Sequence, residues 1–266
     1  MKFFLAPMQG LTGYTVRNAF HHHFDYIDKY YTPFIPAAKR MNAKIKRDID
    51  PVNNDGITLI PQAMSIVADE VIDLHRQLVP YGYDEINVNL GCPSGTVVSK
   101  KRGSGILAYP DMLDSFLDDL YTKADFPVSI KTRVGFNDDE LWPRLIEIYS
   151  KYPISELTVH PRVQKDFYKN TPRMDDFALA MQKINPDKTT LCYNGDITDT
   201  NSFNALTDCF PDIDEIMIGR GLFANPALIA ELKGISMDKA ELRERLKNWH
   251  DEILSGYLLS LIHISE

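Results

Sequence analysis

Glu85-Ile86-Asn87-Val88-Asn89-Leu90-Gly91-Cys92-Pro93 reads as a strand that runs out into a chemically equipped loop. Ile86, Val88 and Leu90 alternate with Asn87 and Asn89, and a two-residue period puts both asparagines on the face opposite the aliphatics. Glycine then breaks the pattern, and a cysteine stands just before a proline. Fixed polar groups beside a thiol at a strand end mark a reaction centre.

Segments of the same kind recur on either side. Strands are expected at residues 3–6, 26–32, 57–64, 85–92, 127–134, 156–162, 189–196 and 215–221, with 26–32 resting on position and aromatic content. Amphipathic stretches such as 68–79, 111–123, 139–151 and 175–184 lie between them. This alternation calls for a parallel sheet. In a chain of 266 residues without a G-x-G-x-x-G turn it favours a closed (β/α)8 TIM barrel over an open doubly wound sheet. Residues 1–232 make up the barrel, closing with a helix over 222–232. A second helical stretch from 238 to about 258 follows, and residues 258–266 form an apolar tail that reads as truncated or non-native, with no function assigned.

The composition, 44% hydrophobic and 25% charged, is that of an ordinary folded protein. No apolar run is long enough to span a bilayer, and the opening Met1-Lys2-Phe3-Phe4-Leu5-Ala6-Pro7 ends its apolar part too soon for a signal sequence. Cys92, Cys192 and Cys209 form no C-x-x-C pair, so a reducing cytoplasm is the expected compartment. The net charge of −8 argues against indiscriminate nucleic-acid binding. Two local cationic clusters, Lys39/Arg40/Lys44/Lys46/Arg47 and Lys100/Lys101/Arg102, are either solvated faces or binding surfaces.

The alternation also gives direction. Thr158, His160 and Arg162 oppose Leu157 and Val159; Ser129, Lys131 and Arg133 oppose Val128, Ile130 and Thr132. The polar phase points into the barrel and grows more polar towards each strand's C-terminal end. Burying such groups is costly unless they are paired or hold a ligand. Gly219-Arg220-Gly221 leads straight into a helix, and Asn194-Gly195-Asp196 ends the strand before it. Together they read as a phosphate site built from backbone N–H groups, a helix start and a guanidinium, with Gly195 admitting a ligand close to the backbone. Each alone would be a glycine turn and a surface arginine.

Lys131, an inward cation, needs an electron-rich partner, and an isoalloxazine ring is one candidate because its N1/C2 region gains negative charge on reduction. Gln62 either serves that ring's edge or is a satisfied core amide. Pro7 and Met8 offer backbone and a soft wall, or simply core. Cys92 is either an inert buried thiol or a catalytic one. His160 serves a ligand or the core. The run His21-His22-His23 is not read as a metal site, because successive helical residues fan out by about 100°.

Ala6-Pro7-Met8-Gln9-Gly10-Leu11-Thr12, Asn87 to Pro93, Lys131-Thr132-Arg133, His160-Pro161-Arg162, Asn194-Gly195-Asp196-Ile197 and Met217-Ile218-Gly219-Arg220-Gly221 occur in the order and at the spacing of one family. The chain resembles the bacterial tRNA-dihydrouridine synthases over about residues 1–232. The resemblance implies an FMN enzyme that reduces the C5=C6 bond of uridine in tRNA with NADPH as electron donor; a monomer is the default expectation. It implies that Pro7, Met8, Gln9, Gln62, Asn89, Lys131, His160, Asn194, Gly195, Asp196, Gly219 and Arg220 line the flavin site. Hydride would pass from flavin N5 to C6, and Cys92 would protonate C5 from the other face. Arg162 and the loop Lys100, Lys101 and Arg102 would meet RNA phosphate. Residues 233–266 would be the incomplete start of the family's helical tRNA-binding domain. The alternatives are another FMN barrel acting on a small pyrimidine or an enone, a non-enzymatic barrel, and a fragment that has lost its grip on tRNA.

Overall fold

The computed structural model describes residues 1–37 and 40–262, with side chains through residue 258. Lys39 of the first cationic cluster and residues 263–266 of the tail lie outside the described residues. Eight parallel strands form a ring: Lys2–Leu5, Lys29–Tyr31, a third in two pieces (Leu59–Ile60 and Gln62–Met64), Ile86–Leu90, Val128–Gly135, Glu156–Val163, Thr190–Tyr193 and Glu215–Ile218. Each pairs with the next, and the eighth pairs back to the first. The expected TIM barrel is the fold.

The split in the third strand has a local cause. Pro61 has no N–H to give to a ladder, but its carbonyl still accepts from Asn87 N at 2.9 Å. The first piece of that strand pairs with the second strand and the second piece with the fourth, which closes the ring. A two-residue pairing of Ile35–Pro36 with Ala63 and Met64 covers the gap.

Side-chain alternation divides the core in two. Phe3, Leu5, Ile86, Val88, Leu90, Ile130 and Leu157 face outward and pack with helix residues such as Phe20, Leu74, Leu117, Trp142 and Phe177. Phe4, Ala6, Tyr31, Ile60, Cys192 and Met217 form a smaller cluster inside the ring. Below it the buried Glu156 carboxylate accepts from Lys29 Nζ (2.6 Å), Tyr31 Oη (2.7 Å) and Thr158 Oγ1 (2.8 Å). The floor is therefore filled by packed side chains and a hydrogen-bonded carboxylate, and the open end lies at the strands' C-terminal ends.

Two expectations change. The helix expected over residues 222–232 is two short helices, Arg220–Ala224 and Leu228–Leu232. Pro226 cannot continue the first of them, and Asn225 Oδ1 accepts from Ala227 N at 3.1 Å to start the second. The last helix is longer than expected, Lys239–Ile262, and packs along the first, Tyr14–His23. The Trp249 ring of the last helix meets Phe20 of the first edge-on at 5.3 Å. The histidine run clasps the last helix: His22 and His23 each bond Glu252 at 2.9 Å, while His21 turns to Asp25.

Arg17 links the fold to its open end. Fully buried on the first helix, it donates to Asn54 Oδ1 (2.8 Å), Thr12 O (2.8 Å) and the Asp48 carboxylate (3.3 Å). Thr12 Oγ1 in turn accepts from Met8 N at 2.9 Å. An Arg17→Met variant leaves Asn54 Oδ1 and Thr12 O without this donor and the largely buried Asp48 carboxylate without its cation, with only Tyr14 N still donating to that carboxylate. It is expected to lose about 3–5 kcal/mol of stability, read as a lowered midpoint in urea unfolding followed by circular dichroism.

Candidate active site

A cavity of about 540 Å³ opens at the C-terminal end of the ring. Pro7, Met8, Gln9, Gln62, Asn89, Lys131, His160, Asn194, Gly195, Asp196, Gly219 and Arg220 all line it, and so does Cys92. They converge because each lies on a parallel strand or in the segment that follows one, and the register aligns neighbouring strands. Gln62 lies beside Asn87, Asn89 beside Lys131, and Arg133 beside His160.

The loop carrying Cys92 is held at every carbonyl and by both of its first N–H groups. Gly91 N (3.1 Å) and Cys92 N (2.9 Å) donate to Asn89 Oδ1. Arg133 Nε donates to Gly91 O (3.0 Å), Ser104 Oγ to Cys92 O (2.9 Å) and Gln164 Nε2 to Pro93 O (2.9 Å). Gly103, at φ +54°, lets the chain pass so close that an added Cβ would lie 2.7 Å from Cys92 O. The thiol itself is half-buried. Burial pushes its pKa up, against the opposing pull of a backbone hydrogen bond at Ser94 and of Arg133 and Lys131. The protonated thiol is favoured.

Cations dominate the cavity. Lys131 Nζ has no hydrogen-bond or ion-pair partner among the described residues. Burial, and then the neighbouring Arg133, lower its pKa to about 7. Arg133, by contrast, donates from each of its three nitrogens, to the carbonyls of Gly91, Val163 and Phe167. His160 is held neutral, its pKa driven well down by burial and by the surrounding Lys131, Arg133, Arg162 and Arg220. Its Nε2 accepts from Arg162 Nη1 at 3.1 Å.

At the glycine turns neighbouring side chains also call for glycine. Gly195 is needed because Tyr193 folds back on it: an added Cβ would lie 2.0 Å from the phenol oxygen. Gly219 stands against the first strand, where a Cβ would come within 3.3 Å of Ala6 Cβ. Asn194 Nδ2 donates to Met217 O at 2.8 Å, tying the seventh strand's end to the eighth strand. Asp196 pairs with both Arg162 and Arg220, the latter at 2.6 Å. Burial would raise its pKa, but the two guanidinium partners outweigh that and bring it below the ordinary value.

The residues expected to meet RNA do not join the cavity. Arg162 is 1% exposed, and its guanidinium is committed to Asp196, His160 and the Asn170 carbonyl. It is therefore a buried support for Asp196, with four of its five N–H donors committed and almost no exposed surface through which a phosphate could reach it. Lys100 and Lys101 are exposed on the loop beyond Cys92, the latter with Nζ 4.3 Å from the Tyr109 ring centroid. Arg102 pairs with Glu70 at 3.2 Å.

Phe34, Arg133, Phe167 and Tyr168 also line the cavity, and sequence reasoning assigned none of them to it. Arg133 has the inward phase of Lys131, which was the available signal. The other three sit on loops without periodicity. Tyr168, half exposed, lies 4.9 Å from the Arg220 guanidinium and 5.5 Å from that of Arg133, and Phe167 takes φ +51° to turn there.

Known proteins resemble this chain across the barrel. It is 26% identical over 243 residues to tRNA-dihydrouridine synthase B of Pasteurella multocida, covering 88% of this chain and 69% of that protein. It is 34% identical over 154 residues to a probable tRNA-dihydrouridine synthase of Staphylococcus aureus, covering 56% of this chain and 46% of that one. The alignments thus span from under half to about two thirds of the relatives' lengths. Among solved structures, a variant of NCR from Zymomonas mobilis superposes with a TM-score of 0.59 at 12% identity, covering 93% of this chain and 90% of the other. That likeness concerns the fold. The dihydrouridine synthase family model matches residues 4–254, and this chain belongs to that family.

Proposed function

We propose that this chain reduces a uridine of tRNA to 5,6-dihydrouridine, with FMN held in the barrel mouth and NADPH as reductant. The observation that carries the reading is the sharing of one cavity by a protonated half-buried thiol, Cys92, and an unpartnered lysine, Lys131. Family membership supplies the reaction class.

The residues fit FMN. Lys131 is a buried cation in want of an electron-rich partner, which the N1/C2 edge of a flavin offers. Gly219 and Arg220 open a helix beside the Asn194–Asp196 turn, and Arg220 is half exposed, so its guanidinium can turn to a phosphate. Pro7, Met8 and Gln9, after the neighbouring first strand, present backbone and an apolar wall, with the Met8 side chain beside Gly219. When bound, reduced FMN supplies the hydride for C6 of the base. The chain's own contribution is to hold an acid where C5 must gain a proton. A thiol with a raised pKa remains protonated through neutral pH, which suits it to donate. A uridine reaches such a cavity only by leaving its stack. Lys100 and Lys101, exposed beyond the Cys92 loop, are placed to meet phosphates.

The decisive experiment incubates FMN-loaded protein with NADPH and unmodified tRNA and searches by mass spectrometry for uridines heavier by about 2 Da. Such a gain, absent in Cys92→Ala, is the expected result. No gain from protein whose flavin NADPH reduces would reject tRNA as substrate. Turnover should also be flat across neutral pH and fall only above the ordinary thiol range, about 8.5, because the donor must be protonated. Lys131, with a pKa of about 7, is already neutral where the thiol ionises, so Lys131→Met should leave that basic limb in place. The same variant should lower the flavin's reduction potential, measured by dye-coupled titration, because the reduced ring loses its cation.

A further inference from the structure

The amides behind Cys92 form a chain with one direction. Asn89 Nδ2 donates to Gln62 Oε1 (2.7 Å), Gln62 Nε2 to Asn87 Oδ1 (2.8 Å), and Asn87 Nδ2 to Ser129 Oγ (3.0 Å). The chain crosses the third, fourth and fifth strands, and every member is buried. Its polarity is imposed at the Cys92 end. The N–H groups of Gly91 and Cys92 can only donate, so Asn89 must turn its oxygen to them and its NH2 to Gln62. Gln62 must then accept from Asn89 and donate to Asn87. Asn87 must accept from Gln62 and donate onward. Only Ser129, a hydroxyl that can serve in either role, can end the chain.

We propose that Asn87, which is fully buried and not among the cavity-lining residues, is a positioning residue for the Cys92 thiol. It supplies the acceptor that holds Gln62, and Gln62 in turn holds Asn89 against the two N–H groups of the cysteine loop. An apolar residue of the same shape would leave Gln62 Nε2 without its acceptor. Gln62 could then rotate, and Asn89 would lose the partner that keeps its oxygen on the loop. Aspartate would not have this effect. Ionised, it accepts from both Gln62 and the Ser129 hydroxyl; protonated, it accepts from Gln62 and donates to Ser129. The turnover consequence rests on the proposed role of Cys92 as proton donor; the positional claim does not.

The test uses the FMN-loaded protein and its Asn87→Leu, Asn87→Asp and Ser129→Ala variants. Iodoacetamide labelling of Cys92 is followed against pH, with peptide mapping to separate it from the exposed Cys209. Asn87→Leu is expected to label Cys92 about tenfold faster at neutral pH, because a loosened loop exposes the thiol and favours the thiolate. Its kcat on tRNA should fall about ten- to hundredfold with KM unchanged, as a misplaced reacting group requires. Asn87→Asp should keep the parent's labelling rate. Identical labelling profiles in folded, flavin-loaded Asn87→Leu and parent would overturn the proposal. If that variant does not fold, Ser129→Ala decides: faster labelling supports the chain, and an unchanged profile refutes it. Faster labelling combined with full turnover in Cys92→Ala would keep the positioning role and remove the acid role.

Discussion

Parallel register is the constraint on which the site depends. Gln62 sits level with Asn87, Asn89 with Lys131, and Arg133 with His160. A slip of one residue in any of these ladders would send the polar phase to the helices and the aliphatics to the cavity. The aliphatic face enforces the register, since Ile86, Val88, Leu90, Ile130, Leu157 and Val159 are all buried against the helix layer. The chemistry at the mouth is thus set by hydrophobic packing on the other face of the same strands. Where the site needs a departure, the ladder gives way: the register between the fifth and sixth strands shifts between Arg133 and Gly135, just where Arg133 reaches to three carbonyls.

Electrostatics divide the cavity's cations into spent and unspent. Arg162 is paired with Asp196, and Arg133 gives one hydrogen bond from each of its nitrogens to a backbone carbonyl while its charge is still felt in the cavity, so both are largely committed within the chain. Lys131 has neither kind of partner among the described residues, and burial among like charges has lowered its pKa to about 7. An electron-rich ligand gains most beside such a group, because it relieves a desolvation cost already incurred on folding. The chain's overall charge of −8 says nothing about this; the local balance is the reverse of the global one.

Much of this was legible in the sequence, for identifiable reasons. Period-two alternation, helped by position and aromatic content at the second strand, located the ring and gave the phase of Asn87, Asn89, Lys131, Arg133, His160 and Arg162. Strand ends in a barrel converge, so residues from six separate motifs could be assigned to one place. What alternation cannot give is the partner each inward side chain finds. Arg162 has the phase of a site residue, yet Asp196 and the Asn170 carbonyl hold it inside. Gly195 was expected to admit a ligand, and its lack of a side chain also makes room for the Tyr193 ring, which no alternation foretells. Tyr168 was invisible because its loop has no period, and its turn depends on the positive φ of Phe167. The break at Asn225-Pro226 was readable from proline alone and was overridden by the apolar pattern around it.

A cysteine that must give a proton faces two opposed demands. It must reach a substrate, which argues for exposure, and it must keep its proton, which argues for burial among apolar or uncharged neighbours. Lys131 and Arg133 on the same cavity work against the second demand by favouring the thiolate. The structure resolves the conflict through the loop's backbone. Asn89, Ser104, Arg133 and Gln164 bind the peptide groups around Cys92, so the thiol's depth is fixed and its remaining freedom is rotation about its own side-chain bond. Arg133 in particular spends its guanidinium on carbonyls, Gly91 among them, instead of on the sulfur. The cation that would most readily ionise the thiol is the one that helps hold its loop in place.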